Sequence, residues 1–384
     1  MDLFNKKISR RKFIKYSLIT TGGLFLYNAI NKPYAMANKY FQKMTENDKF
    51  IKEAKYYIKT QRGYECELCP NYCILKEGKL SSCNTRMPDN GKLYTVAYNN
   101  PCSVNIDPIE KKPLYHFYPK SKSFSVAIAG CNLHCLNCQN YSISQVSPLE
   151  TRNYSLTPEQ LIKQAKASGC LSIPYTYSDP IAFYEYTYDA SKIAKQQGIK
   201  NVFISAGYIN EKPLRDIAKY LDAANIDLKS FNDETYKKLN AGGLKTILNT
   251  LKILHEEGVW LEITYLVVPT WNDKMDEIKK MCEWLYDNDL YNYPLHFSRF
   301  FPMYKLTNVP PTPLETLENA RKIALDSGIN YVYIGNVPGN KGTNTYCPSC
   351  NKTLISRKGY FILENNIENS KCKFCGESIH GRWQ

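Results

Sequence analysis

The stretch Ser121-Lys-Ser-Phe-Ser-Val-Ala-Ile-Ala-Gly130, followed by Cys131-Asn-Leu-His-Cys135-Leu-Asn-Cys138, contains the features that decide the fold of this 384-residue chain. Its first half predicts a β-strand that ends at Gly130, so the cysteines lie on the loop at the carboxyl end of that strand. A β/α barrel builds its active site at that end. A structural zinc site uses four protein ligands, whereas these three thiolates leave one position open. The spacing therefore favours an iron-sulfur cluster with one iron free for a non-protein ligand. A zinc loop that takes its fourth ligand from elsewhere in the chain is the alternative.

Predicted strands and helices alternate after this loop, which is typical of a parallel β/α barrel. Thr157-Pro-Glu-Gln160 predicts a capping box at the start of the first helix, and Gly169 predicts its end. The six further predicted strands cover residues 171–175, 201–205, 225–229, 259–268, 294–298 and 331–334. With the cluster strand there are seven. We therefore expect a partial TIM-like α/β barrel over residues 122–340.

The Cys-x3-Cys-x2-Cys loop after a first barrel strand resembles that of the radical S-adenosylmethionine (SAM) superfamily. This resemblance implies that Cys131, Cys135 and Cys138 are catalytic residues that bind a 4Fe-4S cluster, whose open iron chelates the amino and carboxylate groups of SAM. It also implies that the reduced cluster cleaves SAM to methionine and a 5′-deoxyadenosyl radical, which abstracts hydrogen from a substrate. Asn137 stands where many members carry an aromatic residue that packs on the adenine.

Residues at the carboxyl ends of the predicted strands are the candidate SAM-binding residues: Asp179, Ser205, Gly207, Asp227 and Lys229. Asp179 follows strand two, where the superfamily often has a motif that holds the SAM amino group. A helix cap before Pro180 is the alternative role for Asp179. Ser205 and Gly207 follow strand three, where relatives bind the ribose and methionine moieties, and glycine lets the backbone approach a ligand closely.

Asp227 and Lys229 end the fourth predicted strand. Strand alternation sends both side chains to one side and Leu228 to the other. Inside a barrel the pair can neutralise itself and orient either the SAM carboxylate or the substrate. A purely structural ion pair is the alternative. His296, on the sixth predicted strand, also has two open roles: a substrate contact or a satisfied interior histidine.

Eight other cysteines form two flanking sets. The downstream set has two Cys-x2-Cys pairs about twenty residues apart, which is typical of a zinc ribbon: Cys347, Cys350, Cys372 and Cys375. Zinc is favoured in this module, residues 341–384, and an iron-sulfur cluster is the alternative. The upstream set, in residues 38–121, suits zinc and an auxiliary iron-sulfur cluster equally: Cys66, Cys69, Cys73 and Cys83. Disulfides are a further alternative for both sets. Of the three remaining cysteines, Cys282 lies on an apolar helix stripe and is expected in the core.

The amino terminus has the three parts of a secretory signal. It carries Ser-Arg-Arg-Lys-Phe-Ile-Lys at residues 9–15, a mildly apolar run at 16–30, and Ala-Met-Ala at 35–37. These features predict a signal segment over residues 1–37 that resembles the twin-arginine type. A basic surface helix is the alternative. Export would place the protein in the cell envelope or periplasm, and an unprocessed segment would leave it cytoplasmic or tethered to the membrane.

The net charge of +14 does not indicate nucleic-acid binding. Residues 1–37 contribute +6 of it, from seven Lys/Arg and one Asp. Thiolates in one 4Fe-4S site and two zinc sites would reduce the remainder to about +3. We therefore expect no nucleic-acid partner.

A narrower resemblance covers nearly all of the chain from Cys66 to Trp383. Its motifs are the upstream cysteine set, the cluster loop, the terminal ribbon and the runs at residues 107–117, 225–229 and 331–336. Together they are similar to the AmmeMemoRadiSam-system radical SAM enzymes, which are related to pyruvate formate-lyase activating enzymes. This resemblance implies AMMECR-like and Memo-like partner proteins and does not supply a substrate. Ala206 stands where Asn is common in relatives, and Asp179 where Glu is expected.

The sequence thus predicts a radical SAM enzyme that receives electrons from a low-potential donor. Its substrate is unidentified, and it is either a partner polypeptide, as in glycyl-radical activating enzymes, or a small molecule. Two other classes of protein are the alternatives. One is a non-catalytic iron-sulfur electron carrier or metal-binding scaffold, and the other is a nucleic-acid-binding zinc protein.

Overall fold

The computed structural model describes residues 48–383, and the elements discussed below belong to the compact unit that begins at Phe50. The signal segment predicted over residues 1–37 lies outside the described residues. Between residues 48 and 383, no helix is both long and apolar enough to cross a membrane.

Two small antiparallel sheets form the amino-terminal part of this unit. Their strands are β1 (Lys52–Glu53), β2 (Tyr57–Thr60), β3 (Gly63–Cys66), β4 (Ile74–Leu75), β5 (Arg86–Asp89) and β6 (Lys92–Thr95). One sheet has the order β1-β6-β5 and the other β2-β3-β4. The upstream cysteines lie at the end of β3 and in the connections that lead from β3 to β5.

One eight-stranded sheet forms the centre of the protein. Its strands are β7 (Ser103–Pro108), β8 (Lys122–Ala127), β9 (Ser172–Tyr175), β10 (Lys200–Ser205), β11 (Ala223–Asp227), β12 (Trp260–Val267), β13 (Leu295–Arg299) and β14 (Val332–Gly335). They neighbour one another in chain order, and the seven from β8 to β14 are parallel. The order does not return to its start, so the barrel is open between β7 and β14. The expected α/β fold with a mostly parallel central sheet is confirmed.

Eight α-helices are present among the described residues, all in the crossovers between parallel strands. They are α1 (Tyr141–Ser144), α2 (Pro158–Ala167), α3 (Tyr184–Gln196), α4 (Glu211–Ala218), α5 (Asp233–Asn240), α6 (Leu244–Glu256), α7 (Met275–Asp287) and α8 (Leu314–Asp326). The capping box before α2 is present, because Thr157 accepts from the Gln160 N–H and the Gln160 side chain accepts from the Thr157 N–H. After this helix Gly169 has φ +65°, the left-handed conformation that glycine adopts at low cost.

The sequence does not predict β7, the one antiparallel strand of the central sheet. It pairs with β8 in the register Val104↔Val126 and Ile106↔Phe124. Its residues 103–107 alternate between polar and apolar, but the run is short and has proline close on both sides, at positions 101 and 108, which weakens a strand prediction. The hydrogen bonds of β8 stabilise it, and that pairing is a tertiary contact.

Apolar side chains from the parallel strands and their covering helices form the main core. Val202, Ile226 and Ile263 on the strands are buried, and Leu251 and Cys282 on the helices pack in the same cluster. The expectation that Cys282 is a core residue is confirmed. Helices cover the outer face of the sheet with apolar contacts, whereas the inner face also carries buried polar side chains.

The chain ends in a small β-module with its own apolar cluster. Its strands are β15 (Thr345–Tyr346), β16 (Thr353–Lys358), β17 (Phe361–Asn365), β18 (Ile367–Glu368) and β19 (Lys371–Cys372). Leu354 and Ile355 of β16 pack against Tyr331 and Tyr333 beside and within β14. All fourteen cysteines of the chain are free thiols in the structure, so neither flanking set forms the disulfides considered above.

Candidate active site

A cavity of about 480 Å³ lies at the carboxyl ends of the central strands, within the size range of small-molecule sites. Cys131, Cys135 and Cys138 line it, and among the described residues no other cysteine does. Four of the five predicted SAM-binding residues line the same cavity: Asp179, Ser205, Asp227 and Lys229. The parallel strands bring these residues together because their carboxyl ends share one edge of the sheet.

The cluster loop is anchored to the end of helix α5. The backbone N–H groups of His134 and Leu136 donate to the carbonyls of Asn240 and Leu239, at 3.1 and 2.9 Å. Carbonyl groups in the last turn of a helix have no partner within the helix, so the loop satisfies two of them. These bonds fix the backbone that presents Cys135 to the cavity.

Asp179 is a buried carboxylate that joins the loop after β9 to the end of β10. Its Oδ1 accepts from the Ile181 N–H and the Ser205 hydroxyl, both at 3.0 Å, and its Oδ2 accepts from the Ala206 N–H at 2.9 Å. Burial raises the pKa of Asp179 to about 6, although these donors act in the opposite direction. The bond to Ile181 closes a local turn. Helix α3 begins only at Tyr184, so Asp179 does not cap it.

Asp227 and Lys229 form an ion pair on the cavity wall. Lys229 Nζ donates to Asp227 Oδ2 at 2.7 Å, and Leu228 between them is fully buried on the other side, as strand alternation predicts. The Lys229 side chain is 22% exposed and the Asp227 side chain is 39% exposed. Each can therefore contact a ligand while the pair stays intact. Burial lowers the pKa of Lys229, but Asp227 and then Cys135 raise it above its ordinary value. The ammonium group therefore stays charged.

Gly207, the fifth predicted SAM-binding residue, does not line the cavity. Its φ is +67°, and a Cβ at this position would lie 3.1 Å from the methyl groups of Ile226 and Thr250. Its carbonyl accepts a hydrogen bond from the Thr250 hydroxyl at 2.7 Å. A left-handed turn and close packing thus account for the glycine, and its contact with a ligand stays a prediction.

One wall of the cavity consists of residues to which the sequence assigned no role. Lys111, Lys112 and Tyr177 line it, and all three donate to Asp107, the two lysines at 2.9 and 2.6 Å. Burial would raise the pKa of Asp107, but these donors lower it below its ordinary value. Burial lowers the pKa of Lys112 to about 8. The only sequence signal for this wall is the run at residues 107–117, which carries the family resemblance.

His296 lines the cavity and is also paired in the interior. Its Nε2 lies 2.6 Å from Glu262 Oε2, and both side chains are buried. Glu262 also accepts from the backbone N–H groups of Tyr115 and His116, at 2.9 and 2.7 Å. His296 is therefore a satisfied interior histidine with one side on the cavity, and its contact with a substrate stays a prediction.

Comparison with known proteins identifies the family of this chain. The model of the radical SAM superfamily matches residues 125–285, from the cluster strand into α7. An uncharacterized protein of Methanocaldococcus jannaschii is 46% identical over 332 residues, which cover 86% of this chain and 99% of that protein. The chain belongs to the radical SAM superfamily.

Two other relatives have named activities. Pyruvate formate-lyase 1-activating enzyme of Escherichia coli is 25% identical over 219 residues, which cover 52% of this chain and 87% of that enzyme. GTP 3′,8-cyclase of Lactiplantibacillus plantarum is 25% identical over 256 residues, which cover 60% of this chain and 74% of that enzyme. The radical SAM relatives thus act on different kinds of substrate.

The radical SAM superfamily implies a 4Fe-4S cluster and SAM, and the donor set of the cavity fits both. Three thiols from one loop, with no fourth cysteine among the described lining residues, leave one iron without a protein thiolate. The carboxylate of Asp179 and the ammonium of Lys229 have the charges that suit the SAM amino and carboxylate groups.

The terminal ribbon cysteines have the spacing of a single tetrahedral metal site. Cys347 and Cys375 have their Sγ atoms 3.6 Å apart, and Cys350 and Cys372 have theirs 3.8 Å apart. A zinc ion with Zn–S bonds of about 2.3 Å places its sulfur ligands roughly 3.8 Å apart. Among the described residues, this is the one group of three or more His, Cys, Asp or Glu residues whose ligand atoms are close enough for a single ion.

The ribbon also contributes to the radical SAM cavity. Arg357 of β16 lies over the ring of Tyr115 at 4.3 Å and donates to the Tyr115 carbonyl at 3.1 Å. Tyr360, between β16 and β17, lines the cavity. The hairpin therefore reaches the open side of the partial barrel, a contact that residue spacing in the sequence does not predict.

Proposed function

We propose that this protein reductively cleaves SAM and uses the product radical to abstract hydrogen from a substrate. The observation that carries the proposal is the convergence of Cys131, Cys135 and Cys138 with Asp179 and Lys229 on one cavity. When bound, the cluster supplies the electron that breaks a carbon–sulfur bond of SAM. The residues of this chain hold and orient the reactants.

Asp179 is proposed to bind the SAM amino group. Three protein donors use three of the roughly four acceptor positions of a carboxylate, so one position remains. Since those donors fix the carboxylate, its remaining lone pair has a defined direction. Lys229 is proposed to bind the SAM carboxylate, and Ser205 to hold Asp179 in place through its hydroxyl. Asp227 keeps Lys229 extended along the cavity wall.

A polypeptide is the proposed hydrogen donor. The activating-enzyme relatives, whose names state that they act on pyruvate formate-lyase, support this choice. A small molecule is the second candidate, because the name of the related GTP cyclase states a nucleotide substrate. Two ammonium groups, of Lys111 and Lys112, line the cavity beside the carboxyl group of Glu110, so either donor would present a polar group there.

Partners and location are part of the same proposal. The motifs at residues 107–117 and 225–229 support AMMECR-like and Memo-like partners, and the one-electron chemistry requires a low-potential donor. The twin-arginine pattern at residues 9–15 supports export to the cell envelope. Zinc in the ribbon is supported by the sulfur distances given above.

The test is SAM cleavage by anaerobically purified, reduced protein. We expect 5′-deoxyadenosine and methionine as products, and loss of both in Cys135→Ala. Cys102→Ser is the matched control, because Cys102 lies outside the cavity lining and its thiol contacts the Ala127 carbonyl, a bond that serine can also make.

Electron paramagnetic resonance separates the proposal from its non-catalytic alternative. SAM should change the spectrum of the reduced cluster in an enzyme that binds it, whereas a simple electron carrier predicts no change. Reconstituted protein with an intact cluster and no cleavage under reduction would contradict the proposed function.

A further inference from the structure

The upstream cysteines Cys66, Cys69, Cys73 and Cys83 form a second thiol site outside the cavity. The Cys66 N–H donates to the Cys73 carbonyl at 3.0 Å, and Cys69 lies in the short connection between them. Three of the four cysteines are buried, and only Cys73 is partly exposed. The set thus forms a mostly buried thiol group with one edge near the solvent.

Arg86 links Cys66 to Cys83. Its Nη1 lies 3.4 Å from Cys66 Sγ, and its backbone N–H donates at 3.0 Å to Ser81 Oγ, which lies 3.0 Å from Cys83 Sγ. Arg86 is fully buried and pairs with Glu185 at 2.6 Å, yet its Nε–H has no partner among the described residues. A buried cation with an unused N–H close to two of these thiols suits an anionic, sulfur-rich ligand.

The spacing of the upstream thiols differs from that of the ribbon. No three of the upstream cysteines have ligand atoms close enough for a single ion, and Cys131, Cys135 and Cys138 share this wider spacing. A single zinc ion draws its sulfur ligands together, whereas a cluster binds each thiolate to a different iron. The upstream set, like the barrel triad, therefore lacks the close sulfur spacing of the ribbon.

The upstream site is in direct contact with the cluster loop. Asn71 Nδ2 donates to the Asn132 carbonyl at 2.8 Å, and Ser82 Oγ lies 2.8 Å from His134 Nε2. Asn71 and Ser82 are each one or two residues from an upstream cysteine. Both bonds therefore end on the loop that carries Cys131 and Cys135.

Gly130 is the closest point of this contact. A Cβ on Gly130 would lie 2.6 Å from the Cys83 carbonyl oxygen and 2.4 Å from the Thr85 methyl group. The backbone next to Cys131 thus lies against the backbone of an upstream ligand residue, with no space for a side chain between them.

We propose that Cys66, Cys69, Cys73 and Cys83 bind a second 4Fe-4S cluster, which passes single electrons to the cluster at Cys131, Cys135 and Cys138. A low-potential one-electron protein carrier reduces the upstream cluster, and one electron then moves to the barrel cluster, which returns the upstream cluster to its oxidised form. No bond is made or broken and no proton is required in this transfer. The second half of the proposal rests on the proposed function, and the first half does not.

Metal and sulfide analysis tests the first half. Anaerobic protein with Cys131, Cys135 and Cys138 all changed to Ala should keep about four iron and four sulfide per chain, together with one zinc in the ribbon. Its reduced spectrum should not respond to SAM. Two zinc ions without sulfide, or no metal at the upstream site, would overturn the assignment.

A second variant covers the case in which the triple change prevents folding. The double variant Cys66→Ala/Cys69→Ala should lose about half of the iron and sulfide of the wild-type protein and keep the signal that responds to SAM. Full retention of iron in the double variant would overturn the proposal. Cys102→Ser, outside all three sets, is the control for thiol loss.

Two reductants test the transfer step. With reduced flavodoxin as the donor, the double variant should lose the rapid reduction of its barrel cluster, whereas titanium(III) citrate should reduce that cluster as in the wild-type protein. Equal rates with flavodoxin would overturn the relay. If the wild-type protein keeps its upstream iron but does not cleave SAM, the proposed function fails and the cluster assignment stands.

Discussion

Asp179 is a single residue whose role depends on burial as much as on charge. Residue order alone places a carboxylate after the second predicted strand. Its three donors come from Ile181, Ser205 and Ala206, and the last two lie at the carboxyl end of β10, more than twenty residues further along the chain. Burial leaves the carboxyl with a pKa of about 6, above the ordinary value of 3.8.

This shift predicts how stability depends on pH. The folded protein binds the Asp179 proton more tightly than the unfolded chain does, so the free energy of unfolding should fall as pH rises from about 4 to about 6. The full effect is roughly 3 kcal/mol. Asp179→Asn should remove it, since asparagine has no proton to release. Urea unfolding of both apo-proteins between pH 4 and pH 8 measures the difference, and a constant difference over this range would contradict the prediction.

The cluster loop is one of the elements on which the amino-terminal part and the barrel meet. Gly130 has φ +113° and lies against the Cys83 carbonyl and Thr85. Backbone cannot move aside as a flexible side chain can. The loop position is therefore set by a segment that lies about 45 residues earlier in the chain, where the upstream cysteines end.

Gly130→Ala should displace the loop. We expect a large loss of stability and of barrel-cluster iron, because the new methyl group would overlap with backbone. Gly91→Ala is the matched control: Gly91 also has positive φ, +84°, but a Cβ there meets no atom within 4 Å. Thermal unfolding and iron analysis of both variants measure the effect. Equal losses in the two variants would show that backbone strain alone accounts for the change.

At the scale of the whole molecule, the ribbon completes the partial barrel. Its apolar cluster includes Tyr115 and Tyr333 of the barrel, and Tyr360 lines the cavity. The ribbon strands are short, so we predict that a metal ion bound by the four cysteines holds them together.

Cys350→Ser should therefore remove the ribbon metal and loosen only this module. We expect about one fewer zinc per chain and faster hydrogen exchange in β16 and β17. Exchange in α2 and the iron content should not change, because neither α2 nor the cavity cysteines contact the ribbon cysteines. Mass spectrometry measures the hydrogen exchange, and metal analysis measures the zinc and iron contents. Unchanged exchange in the hairpin would show that the metal does not hold the ribbon.

Local patterns predict much of this fold. Seven parallel strands, the capping box at Thr157 and the alternation of Asp227, Leu228 and Lys229 are all found where the sequence places them. Each depends on residues a few positions apart, and backbone geometry alone gives the periods of strands and helices. The cysteine spacing likewise indicates a cluster site, since three ligands on one loop need no distant residue to be recognised.

Only the tertiary structure decides which distant residues face these motifs. It places Lys112 and Tyr177 on the cavity wall, adds β7 to the sheet, and brings Arg357 of the ribbon onto Tyr115. It also sets the upstream cysteines against the cluster loop. These contacts join residues tens to hundreds of positions apart, and they depend on packing and on the direction of each side chain. A sequence read along the chain records what each segment can form; the folded chain determines which segments meet.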